Sequence, residues 1–251
     1  MSYILVTNDD GVHSPGLAAL ADAAARIAPV VIVAPDRNRS AVGHALTLYA
    51  PLRAEELRPG VFAVDGTPTD CVNLGVHGLV EGTPHLVVSG INSGANLGDD
   101  ITYSGTVSAA LEAALMGYPA LAFSLNSRIF EVEALNAATS VAETLMRAVL
   151  QHGLPPDTFL NINIPLEKIK GICLTRQGKR RYSDDIVQKT DPRGRSYYWI
   201  GGGVGSFEDQ PGTDCHAVNA GLVSVTPLTT GLTNHAAFAQ IEAWNLSLPQ
   251  V

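Results

Sequence analysis

Short apolar runs alternate with segments of helical period along most of the chain. Residues 3–7 form an apolar run that reads as a buried strand, and residues 30–34 form a second, closed by Pro35. Residues 85–89 make a third, ended by Gly90. Further strand-like runs fall at 120–124 and at 159–164, the latter ended by Pro165. Between them lie helical patterns. Residues 17–28 are alanine-rich, with Leu17, Leu20 and Ile27 near helical spacing and Pro29 behind them. Residues 107–116 repeat the pattern, and 131–150 read as a long amphipathic helix stopped by Gly153 and Pro155. Strands mostly without polar alternation are buried on both faces. Separated by helices, they predict an α/β fold with a mostly parallel sheet and helices on both faces.

The pattern changes after about residue 175. Residues 177–181 are basic, 195–199 mix arginine with aromatics, and Gly201-Gly202-Gly203 is a breaker. This stretch has no helical period and predicts hairpins or an arm. A strand returns at 223–226 and a terminal helix at 234–244. The expected organisation is one domain over 1–251, with a core of about 1–172 and 221–251 and an extended hairpin arm of about 173–220.

Composition narrows the function classes. The 251 residues are 46% hydrophobic and 16% charged, enough apolar matter for a sizeable core. A formal net charge of -8 suits no long nucleic-acid backbone, which needs clustered Lys and Arg. A small phosphate remains accessible where a metal ion supplies positive charge locally. Cys71, Cys173 and Cys215 are far apart and form no C-x-x-C pair, so neither a disulfide framework nor a zinc site is expected. No apolar run is long enough for a bilayer and no leader pattern precedes residue 3, so a soluble, cytoplasmic protein is expected.

The polar segments follow the strands. After the first comes Thr7-Asn8-Asp9-Asp10-Gly11. After the second comes Pro35-Asp36-Arg37-Asn38-Arg39-Ser40, then Gly43-His44. After the third comes Gly90-Ile91-Asn92-Ser93-Gly94-Ala95-Asn96. In an open parallel sheet such loops gather at the carboxyl edge, where ligands bind. Adjacent carboxylates at Asp9 and Asp10 repel each other when desolvated, and a divalent cation removes that conflict. The competing reading is that one of them caps the next helix. Ser40 and Asn92 are the plausible remaining ligands, making an all-oxygen set that selects Mg²⁺, Mn²⁺ or Ca²⁺. Tyr103-Ser104-Gly105-Thr106 precedes a helix directly, so free N–H groups and the Ser104 and Thr106 hydroxyls could hold an anion, or Ser104 could simply cap. His44 reads as a residue that orders its loop or supports the site. Neither a Walker loop, nor G-x-G-x-x-G, nor G-x-S-x-G occurs.

These residues resemble the SurE family of stationary-phase survival phosphatases. The matching stretches are Ile4 to Gly11, Val33 to His44, Gly66 to Val72, Val88 to Gly98, Ser104 to Ala110, Asn161 to Pro165 and Thr175 to Gln177. They occur in the family's order. The resemblance implies a Rossmann-like core with a C-terminal β-hairpin arm exchanged between subunits, giving a homodimer or homotetramer. It implies a 5′-nucleotidase, with 3′-nucleotides and short polyphosphate as possible further substrates. It implies one divalent cation, Mg²⁺ or Mn²⁺, on Asp9, Asp10, Ser40 and Asn92. It puts Asn96, Ser104 and Thr106 in the phosphate pocket, with Asn8, Gly43, His44 and Gly105 beside them.

The expected chemistry is hydrolysis at phosphorus by a water that the cation activates, with Asp9, Asp10, Asn96 and Ser104 as catalytic groups. A phospho-aspartate route is the mechanistic rival, although its dehalogenase-type pattern separates the two acids by one residue. A non-catalytic nucleotide sensor and a metal-dependent glycosyltransferase are the rivals in function.

Overall fold

The computed structural model describes residues 2–181, 186–200 and 206–244. In chain order it contains β1 (Ser2–Thr7), α1 (Pro15–Ala25), β2 (Val30–Pro35), β3 (Ala54–Arg58), β4 (Val61–Val64), α2 (Pro68–His77) and β5 (Thr83–Ser93). There follow α3 (Gly105–Leu115), β6 (Ala120–Leu125), α4 (Val132–His152), β7 (Thr158–Ile164) and β8 (Ile172–Leu174). The remainder comprises β9 (Arg180–Arg181), β10 (Ile186–Thr190), β11 (Ser196–Ile200), β12 (Ser206–Phe207), α5 (Asp214–Asn219), β13 (Val223–Thr229) and α6 (Phe238–Glu242).

Nine strands form one sheet in the order β3-β4-β2-β1-β5-β6-β7-β13-β8. The central pairs from β4 to β7 are all parallel. The antiparallel pairs, β3 with β4 and β7 with β13, lie towards the edges. Helices cover both faces, as the unbroken apolar strands require. On one face Leu17 and Leu20 of α1 and Ala138, Val141 and Met146 of α4 pack on Ile4, Val6, Val88 and Ile162. On the other, Cys71, Val72 and Val76 of α2 and Val107, Ala110 and Ala113 of α3 pack on Leu5, Val33 and Val87. Alternate residues of β1 thus feed two separate cores, the period-two rule at work in a strand buried on both sides.

Helix starts follow the local chemistry. α2 begins with Pro68 after Thr67, whose hydroxyl accepts from the Asp70 N–H while the Asp70 carboxylate accepts from the Thr67 N–H. That carboxylate also accepts from the Thr47 N–H and hydroxyl, so the same cap holds the long loop after β2. Ser104 caps α3 by accepting from the Val107 N–H at 3.1 Å. The residue at the cap of α1 is Ser14, so neither Asp9 nor Asp10 serves that helix.

Several expectations are corrected. The third strand does not stop at residue 89: β5 runs on to Ser93, so Asn92 sits on the strand itself, in register with Ser124 of β6. β3 has no counterpart in the apolar pattern, because all five of its residues are exposed, and its apolar partner β4, only four residues long, was not among the expected strands. The terminal helix is reduced to α6, five residues long. The expected C-terminal hairpin is present as β10–β11, but the region around it is not one element. β8 belongs to the main sheet, β10–β11 and β9–β12 form two small antiparallel pairs, and α5 returns to pack Cys215 and Val218 against Leu97. Residues 182–185 and 201–205 of that region lie outside the described residues.

Gly16, in the first turn of α1, shows how closely the site's neighbours approach. A β-carbon there would lie 2.1 Å from the carbonyl oxygen of Ile91 and 2.7 Å from the Phe130 ring. Glycine to alanine in an open helix stabilises by about 1 kcal/mol. Here Gly16→Ala is expected to destabilise by about 1–3 kcal/mol through overpacking, read as a lower urea midpoint with an unchanged slope.

Candidate active site

The strand order reverses direction around β1: β2 lies on one side of it and β5 on the other. The crevice outside the carboxyl ends of these strands is where open α/β sheets bind ligands. A cavity of about 580 Å³ opens there. Asp9 and Asp10 enter it from the end of β1, Asn38 and Ser40 from the loop after β2, Asn92 and Asn96 from the end of β5 and beyond, and Ser104 from the start of α3. The three polar segments predicted to meet do meet.

Asn8 builds the turn that presents the two acids. Its side-chain oxygen accepts from the Gly11 N–H and its amide donates to the Gly11 carbonyl, at 3.1 and 3.0 Å. Gly11 takes φ 102°, a backbone shape that favours glycine. Asn8 is fully buried and shapes the loop from behind rather than lining the cavity.

Asp9 is 4% exposed. One carboxylate oxygen accepts from the Thr106 hydroxyl at 2.5 Å. The start of α3 approaches so closely that a β-carbon at Gly105 would lie 2.8 Å from the Asp9 Cβ. Burial pushes the Asp9 carboxyl up to about 6, the charge of Asp10 adds to the rise, and the Thr106 hydrogen bonds oppose it. Asp10 is less buried. It accepts from the Ser93 N–H at 3.0 Å and from the Asn38 amide at 3.3 Å, and burial raises its carboxyl too. The Asp9 carbonyl accepts the Arg39 N–H at 2.7 Å, which anchors the loop carrying Ser40.

Two neutral oxygens complete the group. Asn92 donates its amide to the Gly94 carbonyl at 2.7 Å, and among the described residues its side-chain oxygen takes part in no hydrogen bond. The Ser40 hydroxyl makes none either; its backbone N–H donates to the Asn38 side chain at 2.8 Å. No cluster of three or more His, Cys, Asp or Glu occurs among the described residues. The available donors are therefore two carboxylates plus amide and hydroxyl oxygens, a hard set that suits Mg²⁺ or Mn²⁺ and is poorly matched to zinc. Two crowded, desolvated carboxylates beside uncommitted oxygens fit a divalent cation.

The expected phosphate residues divide. Asn96 and Ser104 line the cavity, 8% and 5% exposed. Because the Ser104 oxygen accepts from Val107, its O–H is left to donate. Gly105 and Thr106 do not line the cavity; they abut the Asp9 carboxylate instead. Gly43 and His44 lie outside it as well. The Gly43 N–H donates to the Tyr103 carbonyl, and the His44 imidazole meets Glu112 at 2.7 Å, so both fasten the loop after β2 to α3 and its approach.

Sequence reasoning assigned no role to Arg128, Asp100, Asn38 or Ser93. Arg128, Asp100 and Asn38 line the cavity, together with Tyr103, 60% exposed, from the segment expected before the α3 start. Arg128 follows β6, so the rule that located the other loops would have found it. Asp100 is paired with Arg180 from the root of the arm. Ser93 contributes through its backbone N–H, which no pattern of side chains reveals.

Comparison with known proteins identifies the family. The family model described as Survival protein SurE matches residues 4–184. A protein from Syntrophotalea carbinolica named 5′-nucleotidase SurE is 62% identical over 244 residues, covering 97% of this chain and 98% of the relative. One of the same name from Geobacter metallireducens is 60% identical over 247 residues, again covering 97% and 98%. The crystal structure of the SurE protein from Aquifex aeolicus superposes with a TM-score of 0.84 at 44% identity, covering 98% of this chain and all of that one.

The Asp9 environment makes a signed prediction for the metal-free protein. A carboxyl raised to about 6 in the fold but ordinary when unfolded keeps its proton longer in the folded state. Its stability contribution therefore falls as pH rises from about 4 to about 6. In EDTA, Asp9→Asn should gain on the wild type across that window, by about 3 kcal/mol in denaturant-measured stability once pH exceeds about 7. A pH-independent difference would contradict the placement of Asp9.

Proposed function

The chain belongs to the SurE family, and from that membership we propose that it is a divalent-cation-dependent phosphatase that hydrolyses nucleoside 5′-monophosphates to nucleoside and phosphate. The observation that carries this reading is the pairing of buried Asp9 with Asp10 at the sheet's switch point, facing the same cavity as Ser40 and Asn92. The name 5′-nucleotidase borne by the curated relatives supports the substrate.

Asp9, Asp10, Ser40 and Asn92 would hold the cation. Bound there, Mg²⁺ or Mn²⁺ supplies Lewis acidity towards a phosphoryl oxygen and lowers the pKa of water. The rest falls to the chain's own groups. Ser104 donates its free O–H to an equatorial oxygen of the phosphoryl group. Asn96 has one amide N–H committed to Ser124 and a second to offer the same group. These fixed donors stabilise the charge that spreads over the equatorial oxygens as water attacks in line. One of the two aspartates takes the proton of that water. Thr106 and the start of α3 hold Asp9 in place from behind.

Further substrates, 3′-nucleotides and short polyphosphate, fit the same phosphoryl-centred chemistry, since the contacts named so far address phosphate rather than base. The β10–β11 hairpin exposes Tyr198, Trp199 and Ile200, which supports its use as a contact between subunits of a homodimer or homotetramer. No helix among the described residues is long and apolar enough to cross a membrane, and the three cysteines are free thiols; both fit the cytoplasm as the compartment.

The test is phosphate release from a panel of 5′- and 3′-mononucleotides and tripolyphosphate, with Mg²⁺, with Mn²⁺ and with EDTA. Turnover of 5′-mononucleotides that EDTA abolishes is expected. Asp9→Asn should lower kcat by about a thousandfold or more, as loss of a central electrostatic group does. Undiminished activity of that variant in EDTA-treated buffer would refute the proposal.

A further inference from the structure

The motif Asn161-Ile162-Asn163 stands at the end of β7 and lines no part of the cavity, yet both asparagines are fully buried. Their spacing of two puts both side chains on one face of the strand. From there both reach the backbone of Asn96. The Asn163 side-chain oxygen accepts the Asn96 N–H at 2.8 Å. The Asn163 and Asn161 amides both donate to the Asn96 carbonyl, at 3.0 and 2.9 Å. Both backbone polar groups of Asn96 are thereby fixed by side chains of a strand distant in sequence. On β6, Ser124 lies in register with Asn163, and its hydroxyl accepts from the Asn96 side-chain amide at 2.7 Å.

The grip has a cost. The Asn161 side-chain oxygen is buried and finds no hydrogen-bond partner among the described residues. Burying an unsatisfied acceptor destabilises a fold, and an apolar residue in its place would not. The amide at that position is explained by what its other end does, which is to hold the Asn96 carbonyl.

We propose that Ser124, Asn161 and Asn163 are positioning residues that fix Asn96 at the one place in the cavity where its free amide N–H meets the phosphoryl group. The three bonds on its main chain set where the residue stands. The fourth, to Ser124, sets which way the side chain turns and commits one N–H so that the other is presented. None of the three touches substrate; each acts through Asn96. The proposal rests on the reading of Asn96 as a phosphoryl contact.

A double-mutant cycle tests it. Steady-state hydrolysis of AMP with Mn²⁺ is measured for Ser124→Ala, Asn161→Ala and Asn163→Ala, each alone and combined with Asn96→Ala. Because the interaction strengthens in the transition state, Ser124→Ala and Asn163→Ala are each expected to lower kcat by about tenfold, with KM changed by less than about threefold. Asn161→Ala, which removes one bond where Asn163→Ala removes two, should cost less. In the Asn96→Ala background all three should have no further effect on kcat, whereas a merely structural role would keep its full effect there. Ser124→Ala deletes a single hydroxyl and keeps the cycle measurable even where Asn163→Ala fails to fold. Losses that multiply in the Asn96→Ala background, or a Ser124→Ala enzyme with wild-type kcat, would overturn the proposal while leaving the phosphatase reading intact. An Asn96→Ala enzyme at full turnover would overturn both the contact assigned to Asn96 and the positioning built on it. A wild type inactive on every nucleotide would overturn the functional reading, and this inference with it.

Discussion

The Asp9 carboxylate lies between the end of β1 and the start of α3, almost wholly removed from water, with Asp10 the next residue along. Burial and the neighbouring charge together lift it to about 6. A position that holds two acids under those conditions is stable only with compensation. The protein supplies part of it through the Thr106 hydroxyl and the Ser93 N–H. A divalent cation would supply the remainder. The surrounding features follow from that need. Gly105 lacks a side chain because α3 must come within contact of Asp9, and Gly11 turns the chain so that both acids reach one cavity.

The polar groups around the acids are themselves held rather than loose. The loop that carries Ser40 is tied down at Arg39, Gly43, His44 and Thr47, each by a bond to a different part of the core. Asn96 is gripped from β6 and β7. Asp100 is paired with Arg180 at the root of the arm, and the buried Asp214 carboxylate accepts N–H groups from Gly98 and Gly178, joining the same two segments. A catalytic constellation works only when its members cannot drift, so much of this bonding serves the cavity from outside it.

The sequence was most informative where a physical rule has few solutions. Unbroken apolar runs separated by helical patterns specify a sheet buried on both faces, and β1, β2, β5, β6 and β7 fall where those runs lie. Polar residues directly after strands reach the carboxyl edge because the topology leaves them nowhere else, so Asp9, Asp10, Ser40, Asn92, Asn96 and Ser104 share a cavity as expected. Ser104 as a helix cap was legible from local chemistry alone. What failed to show was set by tertiary context. β3 has no apolar face to betray it. His44 orders its loop as expected, but the partner through which it does so, Glu112, is 68 residues away. Thr106 and Gly105 sit at a helix start that suits an anion, and the anion they meet is the chain's own Asp9. Ser124, Asn161 and Asn163 read as ordinary strand residues until the fold sets them beside Asn96.

The most direct test of the central claim is a binding measurement that needs no substrate. Mn²⁺ titrated into the EDTA-stripped protein, followed by calorimetry or by the loss of the free-ion magnetic resonance signal, reports the cation site itself. The account predicts a single site per chain in the wild type, lost in Asp10→Asn and weakened in Asn92→Ala, with the fold retained in both. Absence of a saturable site in the wild type, or undiminished binding in Asp10→Asn, would contradict it.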